Sequence, residues 1–523
     1  MNRSALPPIS NAGLLRWAWR QLTSMKTALI LLFLLALASV PGSLLPQRGI
    51  DPIKVRAFIS ENPTWGPILD RLGFFEVYSS PWFSAVYLLL FLSLIGCVIP
   101  RVGVHFRAMR SAPPPAPRML QRLSGTRTLE ATASTADMLQ TAEAALRAGR
   151  WRVVTGPADE PRWVSAEKGY LRETGNLIFH LSLLVLLVSI GLSGLFGWKG
   201  NVIVREGSGF SNTLTQYDAW GGGRFVNAEN LPPFSFTLEQ FTADFERGEV
   251  ERGSPRAFEA DISFQAAPSE PLQETLIEVN EPLEINRAKV FLVGHGYAPV
   301  IKVIDRTGAT VFNDAVPFLP QDGAFTSTGV VKIPDSTPQL GIQGLFLPTA
   351  ALDAVRGPYS SFPAPDDPAV FMSAWKGDLG LDSGAPQSVY RLVKDQMTQI
   401  GLKQLKLGQT WELPDSSGAV SFEGYQRWAS FQIAFDPGKE IALFSAVTAM
   451  LGLSMSLFIR RRRVWVKVVQ RDGVSLIQLA GIMRTSTFED KDIGVLAEDL
   501  DLVEQALESA GHAHSPDASE EET

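Results

Sequence analysis

The chain has 523 residues, a formal net charge of −7 and a mean hydropathy of +0.07. It is too long for one compact domain and too polar on average for a transporter built mostly of helices. A single cysteine, Cys97, excludes an internal disulfide framework, a CxxC redox pair and a cysteine-built zinc site.

The apolar residues are concentrated in a few runs. Residues 1–26 carry Arg3, Arg16, Arg20 and Lys26 and no acid. Residues 27–100 read as a transmembrane hairpin, with spans at 27–45 and 83–99 and a short outside loop at 46–82. The first run is followed by Pro46-Gln47-Arg48 rather than a small-residue cleavage site, so it reads as a span and not as a signal peptide. Residues 101–175 open with Arg101, Arg107, Arg110, Arg118 and Arg122, again without an acid. Their Pro-rich stretch at 111–117, SAPPPAP, reads as a linker. A small α/β unit is expected to follow, with a helix near 136–148 flanked by the strand-like TRTLEAT and WRVVTG.

The third span, 176–197, contains the run LIFHLSLLVLLVSIGLSGLF at 177–196. Ser182, Ser189, Gly191, Ser193 and Gly194 form a small-residue stripe on it, which implies a helical neighbour. Residues 198–438 alternate apolar and polar positions and are broken by turn signals such as DRTG and DSSG. They read as an all-β, sandwich-like domain with short helices near 348–355 and 387–400. The fourth span is 439–459. The tail, 460–523, begins with Arg460-Arg461-Arg462-Arg463 and the strand-like VWVKVVQ. It continues with a helix near 492–510 and ends in an acidic stretch expected to be disordered.

Each apolar run is about as long as a helix needs to cross the bilayer core. The basic segments 1–26, 101–122 and 460–471 belong inside by the positive-inside rule. The expectation is therefore a multi-pass protein of the cell membrane, α+β in class. It has four transmembrane helices, both termini in the cytoplasm, and a large extracytoplasmic β domain between the third and fourth spans.

The chemistry centres on His180. It lies about four residues into the third span, roughly 6 Å deep, in a run free of Asp, Glu, Lys and Arg. An imidazole in such a helix is costly without a partner and marks a candidate functional site. It reads either as a metal or haem ligand or as an interfacial histidine bonded to a neighbouring helix. Cys97 sits at a similar depth in the second span; it is a possible ligand or a small apolar filler. His295, in VFLVGHGYAP, reads as a hydrogen-bonded strand histidine. His105, in a basic loop, and His512 and His514, in the tail, read as solvated. The chain lacks a P-loop, HExxH and GxSxG. The only charged residues within the four spans are Lys439 and Glu440, at the outer edge of the fourth, which argues against an intramembrane acid relay.

Four stretches resemble the ResB proteins of system II cytochrome c biogenesis, in their actinobacterial form. They are SMKTALILLFLLALASVPGSLLPQR (24–48), EKGYLRETGNLIFHLSLLVLLVSIGLSGLFGWKGNVIVREG (167–207), VNEPLEINRAKVFLVGHGYAPV (279–300) and the segment from DPGKEIALF to RRRVWVKV (436–468). The resemblance covers nearly the whole chain apart from the tail. It implies a haem-handling subunit that works with a ResC (CcsA-like) membrane protein to move haem b outward for attachment to apocytochrome c. It also implies that the histidine at position 180 is an axial haem ligand, with the opposite ligand from the partner; Cys97 or water is the internal alternative. A subunit with one inward-lying thiol cannot reduce the apocytochrome disulfide, so a separate thioredoxin-like reductase is expected. Membrane lipids surround the chain, and no nucleic-acid partner is expected. Thioether formation is not expected of this chain alone. A membrane scaffold that binds no haem is the alternative function, and an outside-sensing signalling protein a third, weakened by the lack of a kinase-like motif in the tail.

Overall fold

The computed structural model describes residues 11–49, 52–123, 125–157, 162–355, 357–381, 389–471, 474–483 and 490–514. The acidic stretch expected to be disordered, 515–523, lies outside them. The described residues fall into two compact units: those within 11–38, 81–190 and 439–514, and those within 39–80 and 191–438.

The first unit holds the apolar helices. A short helix α1 (Asn11–Leu22) turns at Thr23 into α2 (Met25–Leu44). The short helices α3 (Pro52–Glu61) and α4 (Gly66–Arg71) follow in the second unit. Then come α5 (Pro81–Arg110), α6 (Thr135–Ala148), α7 (Leu171–Phe196), α8 (Lys439–Phe458) and α9 (Asp490–Ser509). Helices α2, α5, α7 and α8 are long and apolar enough to cross a bilayer, so this is a multi-pass membrane protein. Helix α5 runs beyond the expected end at residue 99, through Pro100 to Arg110. His105 is therefore on a helix and not in a loop.

Small residues decide where these helices touch. On α7, Gly175, Ser182 and Ser189 are buried at seven-residue spacing; on α8, Ser445, Ala449 and Gly452 are buried. A Cβ on Gly175 would lie 2.7 Å from Gly452 O, and one on Gly452 would lie 2.6 Å from Phe179 N. The two backbones are in contact there, which only glycine allows. The outer part of the expected stripe differs, since a Cβ on Gly194 would meet nothing within 4 Å. Helix α5 meets the α1–α2 turn in the same way: a Cβ on Gly96 would collide with the Thr23 side chain at 2.0 Å, and Ser93 Oγ donates to Leu22 O at 2.6 Å.

The same unit carries a six-stranded antiparallel sheet. In spatial order its strands are 152–155, 163–168, 462–471, 474–483, 127–131 and 513–514. Two segments separated by more than 290 residues thus form one domain. Helices α6 and α9 cover one face, burying Leu139, Leu146, Val466, Ile477, Leu500 and Val503. Ser134 caps α6 by accepting from Asp137 N. The Pro-rich stretch is not a free linker. It straps the other face, where Leu120 packs on Trp465 and Ala480, and Pro114 O accepts from Ser165 Oγ at 2.7 Å.

The second unit is β-rich. Two 17-residue strands, 288–304 and 419–435, pair antiparallel along their whole length, about 56 Å at 3.3 Å per residue. Strand 283–285 leads into the first of them through a tight turn, Asn286–Arg287, with both residues at positive φ. One half of this long sheet packs against strands 208–211, 235–245, 255–265 and 273–278 around Phe210, Phe236, Phe241 and Phe431. The other half packs against strands 319–320, 327–333, 340–347, 369–377 and 397–406 around Tyr297, Phe318, Phe346 and Phe422. The result is two sandwiches sharing one sheet. The short helices expected here do not form: 350–353 pairs with 357–360 as a hairpin, and 397–406 is an edge strand, while 382–388 lies outside the described residues.

Candidate functional site

Helices α2, α5 and α7 line a partly open cavity of about 380 Å³. Helical spacing explains its lining. Leu90, Leu94, Cys97 and Arg101 recur every three or four residues along α5, as do Asn176, His180, Leu183 and Leu187 along α7. Met25, Ala28, Leu29 and Leu32 line the third side from α2, where Met25, Leu29 and Leu32 are also exposed. Eleven residues separate Leu90 from Arg101, and Asn176 from Leu187, so the cavity runs about 16 Å along the helices. Met25, Asn176 and Arg101 lie at one end, and the rest is almost wholly aliphatic.

His180 is oriented by its own helix. Its Nδ1 lies 2.7 Å from Asn176 O, one turn earlier. A carbonyl only accepts, so Nδ1 carries the hydrogen, and in the neutral ring Nε2 keeps its lone pair. This is the tautomer of a ligating histidine whose other nitrogen is fixed by a backbone carbonyl. Phe179 packs edge-on to the imidazole at 5.1 Å. Cys97 lines the same cavity, but its thiol donates to Thr23 O at 2.7 Å. The two residues singled out from the sequence thus share one chamber.

Sequence reasoning missed the polar groups near the basic end. Arg101 lies one turn after Cys97, and its guanidinium donates to Met25 Sδ at 2.8 Å. His105, expected to be solvated, has a side chain only 13% exposed. Its Nε2 lies 3.0 Å from Thr174 Oγ1 and its Nδ1 3.7 Å from Glu173 Oε2. Glu173 also meets Arg461, which in turn bonds the fully buried Glu167 at 2.5 Å. Burial pushes the Glu167 carboxyl up. The Tyr170 hydroxyl and the Arg461 and Arg463 guanidiniums outweigh it and hold the group below the ordinary carboxylate range. This network ties the start of α7 to the strand that follows α8. The available signals were the i, i+4 pairs Cys97–Arg101 and Asn176–His180, which mean something only once the helices are known to face one another.

In the β-rich unit, His295 does not meet the expectation of a hydrogen-bonded strand residue. Its Nε2 is buried with no hydrogen-bond partner. The ring lies among Phe258, Phe325 and Phe241, with centroids at 4.4, 4.5 and 5.0 Å. Burial, and then the nearby Arg427 charge, lower its pKa to about 4, so it is neutral at pH 7.

Comparison with known proteins places the chain. The ResB-like family profile matches residues 25–492. The cytochrome c biogenesis protein CcsB of Gloeobacter violaceus is 23% identical over 87% of this chain and 85% of its own length. CcsB of Thermosynechococcus vestitus is 26% identical over 55% of this chain and 62% of its own length. Cytochrome c biogenesis protein Ccs1 of Rhodomonas salina is 24% identical over 50% and 56% respectively. The matched stretch thus spans less than two thirds of the last two relatives. Since the family profile takes in all four apolar helices, both lobes of the β-rich unit and most of the six-stranded sheet, the chain belongs to the ResB-like family.

Proposed function

We propose that this protein is the haem-handling subunit of a system II cytochrome c assembly complex. Relatives named for cytochrome c biogenesis support the pathway. The observation that carries the haem reading is His180: an imidazole with its Nδ1 hydrogen spent on Asn176 O, and its Nε2 lone pair available in a chamber with an apolar body. Such a chamber suits haem b, a flat apolar cargo whose iron takes nitrogen ligands. The ligand role falls to His180 rather than Cys97. The thiol is engaged with Thr23 O, and a ligating sulfur would have to give up its proton at that depth.

A six-coordinate iron needs a second ligand, for which a ResC (CcsA-like) partner is the simplest source. The β-rich unit would lie outside the membrane and hold apocytochrome c for attachment. A thioredoxin-like protein would keep the receiving thiols reduced. Both termini would lie in the cytoplasm, beside the inner-leaflet lipids.

The test is absorption spectroscopy of the co-expressed, detergent-purified complex. His180→Ala is expected to abolish the Soret band of a bis-imidazole haem, and added imidazole to restore part of it. Wild-type haem content and an unshifted Soret band in the variant would overturn the reading and favour a scaffold that binds no haem.

A further inference from the structure

We propose that Arg101 is the anion anchor of the His180 chamber, binding the carboxylates of the cargo and so fixing which way round it lies. This inference rests on the haem reading of His180 and adds the recognition of the cargo's acidic edge.

Arg101 is a cation without an anionic partner among the described residues. Arg101 lies on α5, the long helix that also carries Leu90, Leu94 and Cys97 into the chamber. A guanidinium offers five donors and stays charged under all ordinary conditions. Among the described residues Arg101 makes no ion pair; its one hydrogen bond goes to the thioether of Met25 at 2.8 Å, a weak acceptor. Three arginines of the same unit are neutralised, Arg127 by Asp501 and Glu504, Arg461 by Glu167 and Glu173, and Arg462 by Asp499, while Arg107 and Arg110 on α5 make no ion pair among the described residues; what sets Arg101 apart is its place on the chamber wall. Arg101 is exposed at the basic end of α5, just past the apolar span, so its head group can stay hydrated while it sits at the mouth of the chamber.

The chamber is polarised along its length. One end offers Arg101, Asn176 and the His180 ring; the rest, through Leu32, Leu90 and Leu187, is aliphatic. A matching ligand has an apolar body, an atom that accepts an imidazole lone pair, and anionic groups at one edge only. A metallated tetrapyrrole dicarboxylate meets all three demands. A lipid carboxylate or phosphate meets only the last, and no contact with His180 would follow from it. Arginine also suits the task in shape, since its planar fork takes a carboxylate in two hydrogen bonds.

The experiment uses the full chain co-expressed with its partner. It compares wild type, Arg101→Gln and Arg101→Lys by haem retained per complex, Soret position and haem reduction potential. It then repeats the loading with haem and with its dimethyl ester. Arg101→Gln is expected to retain several-fold less haem, with an unshifted bis-imidazole Soret band and a lower potential, because a positive charge that favours ferrous haem is gone. Arg101→Lys should recover part of both. Wild type should prefer the free acid over the ester, and Arg101→Gln should not. Wild-type retention and potential in Arg101→Gln would overturn the anchor, as would an acid-over-ester preference that survives the substitution. If Arg101→Gln fails to assemble, equal loading of acid and ester by wild type is the overturning result. Failure of the His180 reading looks different, since there the Soret band is indifferent to His180→Ala.

Discussion

At the scale of single residues, two histidines illustrate opposite uses of burial. His180 stood out in the sequence because its run holds no other ionisable group. Its backbone anchor, Asn176 O, was not visible, because that depends on a ring rotamer. Nor was Arg101, whose meaning depends on how α5 faces α7. His295 was legible as a strand residue but not as an uncharged ring packed among phenylalanines. Its environment gives a testable pH dependence. The folded pKa is about 4 against an ordinary 6.5, so between those values the unfolded chain binds more protons than the folded one. Stability therefore falls as pH drops from 6.5 towards 4, by up to about 3 kcal/mol from this group alone. His295→Phe should flatten that part of the profile while leaving stability at pH 7.5 within about 1.5 kcal/mol, the range of a volume-conserving swap. Denaturant titrations of both proteins at pH 4.5 and 7.5 would check it; an unchanged pH slope in the variant would refute the assignment.

At the scale of elements, the four spans were legible because a bilayer demands long uninterrupted apolar runs. Their contacts were only partly so. The expected stripe ran towards the end of α7, through Gly191 and Gly194, whereas the closest approach is at Gly175 and Gly452, near its start. A stripe of small residues shows that helices approach, but not at which turn. The Pro-rich strap was misread for a related reason. Proline composition suggests an unpaired, extended chain, yet an extended proline segment still presents its carbonyls, and Ser165 donates to one of them. Helix propensity likewise lost at 350–353, where pairing with 357–360 prevails. The helix crossing yields a prediction. Gly452→Val would force α8 away from Phe179 N, next to His180, at a cost of about 1–3 kcal/mol for overpacking. It is expected to lower the melting temperature in detergent and to reduce retained haem. Gly194→Leu should leave the melting temperature unchanged, since a Cβ there has open space. Equal melting temperatures for Gly452→Val and wild type would contradict the backbone contact.

At the scale of the whole molecule, the six-stranded sheet constrains topology independently of charge. Strand 163–168 precedes α7 and strand 462–471 follows α8, yet the two pair along their length, Arg462 with Lys168 through Lys467 with Trp163. Both segments must therefore lie on the same side of the membrane. The β-rich segment 198–438 is joined to that sheet only through α7 and α8, so two crossings would predict it on the other side. The sheet does not say which side is the cytoplasm; the positive-inside rule, applied to the arginines at 101–122 and 460–463, makes the cytoplasmic side a prediction. The pairing was not legible in the sequence, where each strand looked like part of a separate small unit. Topology reporters inserted near residues 140 and 480 should both read as cytoplasmic, and one near residue 300 as external. The pair at 140 and 480 is the sharper half of the test. Opposite signals would break the sheet, whereas a joint external reading would keep the sheet and reverse only the charge-based orientation.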